Sequence, residues 1–200
     1  LEKLIRASGV PDHAPILTAS DLGDATIGRA LFGQRAAGPQ LGIWGDRLGR
    51  TLAGSGSPGE ELGAVYISRR GAWRRPMANE EALETALVER FGATIVRFED
   101  MELEEQVRVI RRASVVIGPH GAGITAIVFA RPGTGLVEIV PDRHPNRFFV
   151  DLVSDLGAPH IPVAGSVDDL ETMAWTSDVE AVCAAVEGLL DDSVRFRRPA

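Results

Sequence analysis

The chain has one cysteine, Cys183, so no disulfide can staple it internally. Cys183 sits among Val182, Ala184 and Val186, which is the setting of an apolar helix face rather than of a reactive thiol. This usage suits a reducing compartment, and a cytoplasmic location is the expectation. No apolar stretch approaches the roughly 20 residues needed to cross a bilayer, so no transmembrane segment is expected. The N-terminal Leu-Glu-Lys-Leu-Ile-Arg lacks the apolar core of a signal peptide and an initiator Met, and it reads as the trimmed end of a longer chain. Acidic residues outnumber basic ones by 28 to 21, a formal charge of −7, which argues against broad nucleic-acid affinity. The four histidines are scattered, and no metal-ligand spacing is present. The turn after the first strand, Arg-Arg-Gly-Ala-Trp, contains no Gly-x-Gly-x-x-Gly, which disfavours a dinucleotide dehydrogenase. The nearest approach to a hydrolase elbow, Ser55-Gly-Ser-Pro-Gly59, fails at its first residue.

What remains is a chain long enough to bury the core of one domain with a fragment of a second. Residues 1–61 read as a partial N-terminal region: an apolar Ile16-Leu17 pair, a helix near Asp24 to Phe32, then a connection from Gly33 to Gly59 crowded with glycine. Residues 62–200 read as the organised domain. Strands are expected at Ala64–Ser68, Thr94–Phe98, Val115–Gly118, Leu136–Val140 and near His160–Val163. Between the first two lies a helix starting after Asn79, with Leu83, Leu87 and Phe91 on one face and Gly92 at its end. The next helix has Asp100 as cap and Leu103, Val107 and Ile110 as core face. Another carries Phe149, Leu152, Val153 and Leu156 ahead of Gly157. The last opens on the capping box Ser177-Asp-Val-Glu180 and buries Val179, Val182, Cys183 and Val186. Strands alternating with helices imply an α/β fold, a Rossmann-like parallel sheet with helices on both faces. Ligands of such sheets bind at the carboxyl ends of the strands, where Ser68, Arg69, Glu99, His120 and Glu138 fall or nearly fall.

The run Ser114-Val-Val-Ile-Gly-Pro-His-Gly-Ala-Gly-Ile124 carries the most chemical information. A short apolar strand empties into His120 and then Gly121, Ala122 and Gly123, which open a helix. Glycines let backbone N–H groups approach an anion, and the unpaired amides of a helix start point toward it. The bland alternative is a tight turn that simply needs glycine. Arg69, Arg70, Arg74 and Arg75 form a basic cluster of a size suited to one pyrophosphate. Glu138 interrupts Leu-Val-Glu-Ile-Val, and an ionised carboxylate buried in such a strand needs a partner. Ribose hydroxyls or a salt bridge to Arg69 or Arg143 would each supply one.

These pieces occur in a telling order: Ile67-Ser-Arg69, Asn79-Glu80, Glu105-Gln106, then Gly118-Pro-His-Gly-Ala-Gly123 and strand-borne Glu138. Order and spacing over about residues 64 to 141 resemble glycosyltransferase family 61. One departure is Thr125 or Ala126 where that family often has Asn. The resemblance implies the C-terminal, donor-binding half of a two-domain GT-B enzyme, inverting, and active in building polysaccharide or glycan. It would transfer a hexosyl or pentosyl group from a nucleotide sugar to a carbohydrate hydroxyl, with no further cofactor.

Within that frame Arg69 would stabilise the departing diphosphate. Ser68, Arg74, His120, Gly121, Ala122, Gly123 and Glu138 complete the expected donor site, while Asn79 and Gln106 read as helix-start structure. The chain has no Asp-x-Asp, the usual divalent-cation signature of the other large nucleotide-sugar transferase fold, so metal independence is expected. Two other readings stay open: a non-catalytic nucleotide- or glycan-binding module, and a hydrolase using His-Gly-Ala-Gly as an oxyanion loop. The C-terminal Arg195-Phe-Arg-Arg198 suits a solvated tail or contact with an anionic membrane surface.

Overall fold

The computed structural model describes residues 39–54, 59–71, 75–143, 147–169 and 171–196. The Ile16-Leu17 pair, the helix expected over Asp24 to Phe32, Arg74 and the tail residues Arg197 and Arg198 lie outside the described residues.

Six strands form one sheet: β1 Gly63–Ile67, β2 Thr94–Val96, β3 Ala113–Pro119, β4 Gly135–Pro141, β5 His160–Val167 and β6 Trp175–Ser177. Their order is β2-β1-β3-β4-β5-β6; β1 to β5 are parallel and β6 runs antiparallel to β5. Five α-helices are described: α1 Pro39–Ala53, α2 Glu80–Phe91, α3 Leu103–Arg112, α4 Phe148–Leu156 and α5 Val179–Phe196.

Alternation along the strands builds two cores. Ala64, Tyr66, Val115, Ile117, Val137 and Ile139 face Leu83 and Leu87 of α2 and Val182, Cys183 and Val186 of α5. Val65, Ile67, Val116 and Leu136 face Ile110 of α3 and Phe149, Leu152 and Val153 of α4. The chain leaves β1 for β2 on one side, then returns past β1 to β3 on the other, with α2 and α3 on opposite faces. That reversal leaves a crevice between the carboxyl ends of β1 and β3, where ligands of such sheets settle.

Four local features depart from the sequence expectation. The glycine-crowded stretch is helical over Pro39–Ala53, because Gly42, Gly45 and Gly49 recur at helical spacing and let α1 press on its neighbours. A Cβ on Gly45 would stand 1.9 Å from the Val128 carbonyl oxygen, and one on Gly49 would stand 2.7 Å from that of Phe129.

The segment after Gly121 is a 3-10 helix, Ala122–Phe129, rather than an α-helix. Three residues per turn bring Ile124 and Ile127 onto the same buried face. Strand β2 stops at Val96, and Phe98–Asp100 make a 3-10 turn before α3, so Glu102 rather than Asp100 precedes the helix. The Gln106 amide holds that turn, donating to the carbonyls of Phe98 (2.9 Å) and Met101 (3.0 Å).

Ser177 closes an unexpected strand, β6, and the cap of α5 passes to Asp178, whose Oδ1 accepts from the Ala181 amide at 3.0 Å. β6 forms because Trp175 is buried against β5, where a Cβ on Gly165 would stand 2.5 Å from its ring. The indole N–H donates to the Arg75 carbonyl at 3.0 Å.

Candidate active site at the sheet's switch point

Strand β1 ends at Ile67, and the next two residues are held from below by Glu80, the first residue of α2. Its Oε1 accepts from the Tyr66 hydroxyl (2.9 Å), the Ser68 hydroxyl (3.1 Å) and the Arg69 amide (2.7 Å). Glu80 is buried, and three donors on one oxygen replace the water it has lost. Burial, with Glu80 beside it, pushes the Tyr66 phenol well above its ordinary value, so it remains a proton donor in this contact. Ser68 is also buried, and its Oγ accepts from the Arg70 amide at 3.1 Å. Its hydroxyl therefore sets the turn that aims Arg69.

The guanidinium of Arg69 crosses the crevice to the β3 loop, with Nη1 3.4 Å from the His120 carbonyl oxygen. A Cβ on Gly121 would stand 3.3 Å from the same nitrogen, and one on Gly123 would stand 3.1 Å from Ile67. Lacking side chains, the two glycines let the loop lie close against β1 and Arg69. The amides that begin the 3-10 helix have no partner within it, by the geometry of any helix start. Arginine and loop amides are thus assembled at one end of the sheet.

The other face secures His120. Its amide donates to the Ile139 carbonyl at 2.8 Å, and its Nδ1 lies 2.5 Å from Glu138 Oε1. The edge of its ring meets Phe149 of α4, with centroids 5.2 Å apart. Glu138 Oε2 lies 2.9 Å from Nε2 of His160, the first residue of β5. The side-chain partners of Glu138 are therefore His120 and His160, not Arg69 or Arg143.

Other named residues sit apart from this cluster. Arg70 pairs with Glu84 at the surface, and Glu99 is exposed in the 3-10 turn. Asn79 ties α2 to β6 through the Ser177 backbone, donating to its carbonyl (2.8 Å) and accepting from its amide (2.9 Å). Arg74 lies outside the described residues. Among the described residues no group of three or more His, Cys, Asp or Glu is arranged to hold a metal ion, and no helix is long and apolar enough to cross a membrane.

A groove of about 740 Å³ occupies the opposite end of the sheet, where β4 and β5 begin, between α1, the turn Arg131–Thr134 and the end of α4. Sequence reasoning placed nothing there.

Glu80 and His160 are the site residues whose roles the sequence concealed. Glu80 reads as an ordinary acidic first-turn residue, although Tyr66 and Ser68, alternating on the face of β1 that meets α2, hinted at a polar partner. His160 reads as the plain start of a strand. Its neighbour becomes visible only once the register pairs it with Leu136, two residues from Glu138 on the same strand face.

Residues 44–137 match the family model described as Glycosyltransferase 61. A beta-1,2-xylosyltransferase of Oryza sativa subsp. japonica is 46% identical over 52 residues, 26% of this chain and 10% of that protein. A beta-1,2-xylosyltransferase of Arabidopsis thaliana is 55% identical over 40 residues, 20% of this chain and 8% of its own. An EGF domain-specific O-linked N-acetylglucosamine transferase of Drosophila melanogaster is 26% identical over 92 residues, 46% of this chain and 18% of that protein. The matched stretches thus span less than a fifth of each relative's length. Residues 44–137, which include the Arg69 turn and the His120 loop, are thus similar to glycosyltransferase family 61.

Proposed function

We propose that this chain is the donor-binding part of an inverting glycosyltransferase of the GT-B type, taking a nucleotide sugar and passing its hexosyl or pentosyl group to a carbohydrate hydroxyl. One observation carries the reading: Arg69 and the His120–Gly123 loop, 51 residues apart in sequence, meet across the β1/β3 crevice with Nη1 3.4 Å from the His120 carbonyl. A diphosphate in that crevice would accept hydrogen bonds from the guanidinium and from the amides of Gly121, Ala122 and Gly123. Inversion is direct displacement. The acceptor oxygen forms its bond to the anomeric carbon as the bond to the diphosphate breaks, and the leaving group carries away the electron pair.

Charge then grows on the diphosphate oxygens, and preorganised donors that need no rearrangement are effective there. Arg69 and the loop amides fill the part that a divalent cation plays elsewhere, which makes the reaction metal-independent in this account. Ser68, Glu80 and Glu138 support those groups from behind. The acceptor and its general base are assigned to chain beyond these residues, since the relatives matched are far longer than the regions they share with this chain.

A thermal-shift panel of nucleoside diphosphates and nucleotide sugars tests the reading, because a ligand bound only by the native state raises the melting temperature with its concentration. Stabilisation by one base's diphosphate and its sugar conjugates is expected. No shift from any member at millimolar concentration would contradict it.

A further inference from the structure

Glu138 is almost fully buried, yet its two oxygens serve different residues. Oε1 meets His120 Nδ1 at 2.5 Å and Oε2 meets His160 Nε2 at 2.9 Å. His120 reaches down from the loop after β3, while His160 reaches across from the start of β5 as the diagonal neighbour of Glu138. The three side chains form a line from the cleft into the sheet.

An ionised carboxylate can only accept hydrogen bonds, so both rings must donate. His120 then carries its proton on Nδ1, and His160 carries one on Nε2. With Oε2 held by His160, the carboxylate cannot turn about its last bond without leaving a buried oxygen unpaired, at a cost larger than the bond's net worth. The edge contact with Phe149 limits rotation of the His120 ring in the remaining direction.

We propose that His160 is a positioning residue for the site: acting through Glu138, it holds the His120 ring in its Nδ1-protonated tautomer and holds in register the loop that bears Gly121–Gly123. His160 itself touches no ligand. It governs the loop in the way that an outer partner fixes the tautomer of a metal-binding histidine. The consequence for ligand affinity rests on the donor-site reading above, whereas the tautomer does not.

The test uses the whole chain labelled with ¹⁵N-histidine. Its four histidines, His13, His120, His144 and His160, make assignment by single substitution practical. Long-range proton–nitrogen spectra report which nitrogen of His120 is protonated, and titration calorimetry with a nucleoside diphosphate reports affinity. The parent should show the Nδ1–H form. His160→Gln keeps an amide donor near the position of Nε2 and should match the parent in both readouts. His160→Phe removes the donor, and His160→Asn holds it too short to reach Oε2; each should give mixed His120 tautomers and about tenfold weaker binding. The proposal is overturned if His120 stays in one tautomer in whichever of these two variants folds, or if His160→Gln loses as much as they do. A tautomer shift with no diphosphate binding in any variant would uphold the positioning role and sink the donor-site reading instead.

Discussion

Arg69 and Glu80 divide the work at the end of β1. Arg69 supplies charge to the crevice, while Glu80 fixes where that charge stands by accepting from the Arg69 amide, Ser68 and Tyr66. The two should fail differently. Arg69→Ala leaves every bond to Glu80 in place, and it should weaken nucleoside diphosphate binding by about 1–2 kcal/mol with little change in stability. Glu80→Leu strands three buried or half-buried donors. It should lower unfolding free energy in urea by about 3 kcal/mol, and equal stability of parent and variant would contradict the role given to Glu80. Cys183 belongs to neither class. It lies in the core, where burial raises its thiol pKa, so it should resist alkylation in the native protein.

At the scale of elements, α1 shows how one residue type can carry two opposite meanings. Glycines between Gly33 and Gly59 read as a linker, yet Gly42, Gly45 and Gly49 make a smooth face on which the 3-10 segment and α4 pack. Gly45→Ala should undock α1, at a cost of about 3 kcal/mol, because its Cβ would meet the Val128 carbonyl. Gly188→Ala is the matched control. It lies on the exposed face of α5 with nothing within 4 Å of a new Cβ, and it should stabilise by about 0.5–1 kcal/mol. Chemical denaturation of both variants checks the pair.

The contact of α1 with α3 is also electrostatic. Arg111 donates to Asp46 Oδ1 at 3.0 Å and to the Phe129 carbonyl at 3.0 Å. Partial burial would raise the Asp46 pKa, but hydrogen bonds from Arg50 and Arg111 outweigh it and hold the carboxyl below the ordinary carboxylate value. A lowered folded pKa means that the unfolded chain takes up the proton first as the solution is acidified. The contribution is therefore complete above the ordinary carboxylate value and fades as pH falls through the lower folded value. Asp46→Asn should flatten stability against pH in that acidic window and leave the slope near neutrality unchanged.

What could be read in advance was periodicity. Leu83 and Leu87, Val107 and Ile110, and Leu152 and Val153 all lie where helical spacing puts them, and the five parallel strands were each anticipated. Glu138 announced itself as a carboxylate in an apolar strand that needed a partner. That His160 would be one of its two partners was beyond reach, because the contact depends on the register between β4 and β5 and on a histidine 22 residues away in sequence. β6 and the length of β5 were hidden for a similar reason: an edge strand of three residues is set by the burial of Trp175, not by a pattern of its own.

At the scale of the whole molecule, the sheet order brings the Arg69 turn and the His120 loop to the same end of adjacent strands, and the two cores hold them from opposite faces. Glu80 anchors one side from α2, and Glu138 with His160 anchors the other from β4 and β5. Catalysis is a different matter from binding. With acceptor and general base assigned to other chain, these residues alone should release diphosphate from a nucleotide sugar only at a trace rate, with no acceleration by a panel of glycan acceptors. A product-release assay would read this, and rapid acceptor-dependent turnover would show that the site is complete without further chain.

In the proposed function, the β1/β3 crevice binds a diphosphate through Arg69 and the loop amides. Titration calorimetry in the presence of a chelator addresses it most directly, comparing the parent with Arg69→Ala for the nucleoside diphosphate that stabilises the fold most. One site is expected, with a dissociation constant of about 10–100 μM in the parent, kept in chelator, and roughly tenfold weaker in the variant. Binding that vanishes without magnesium or manganese, or that is indifferent to the loss of Arg69, would contradict it.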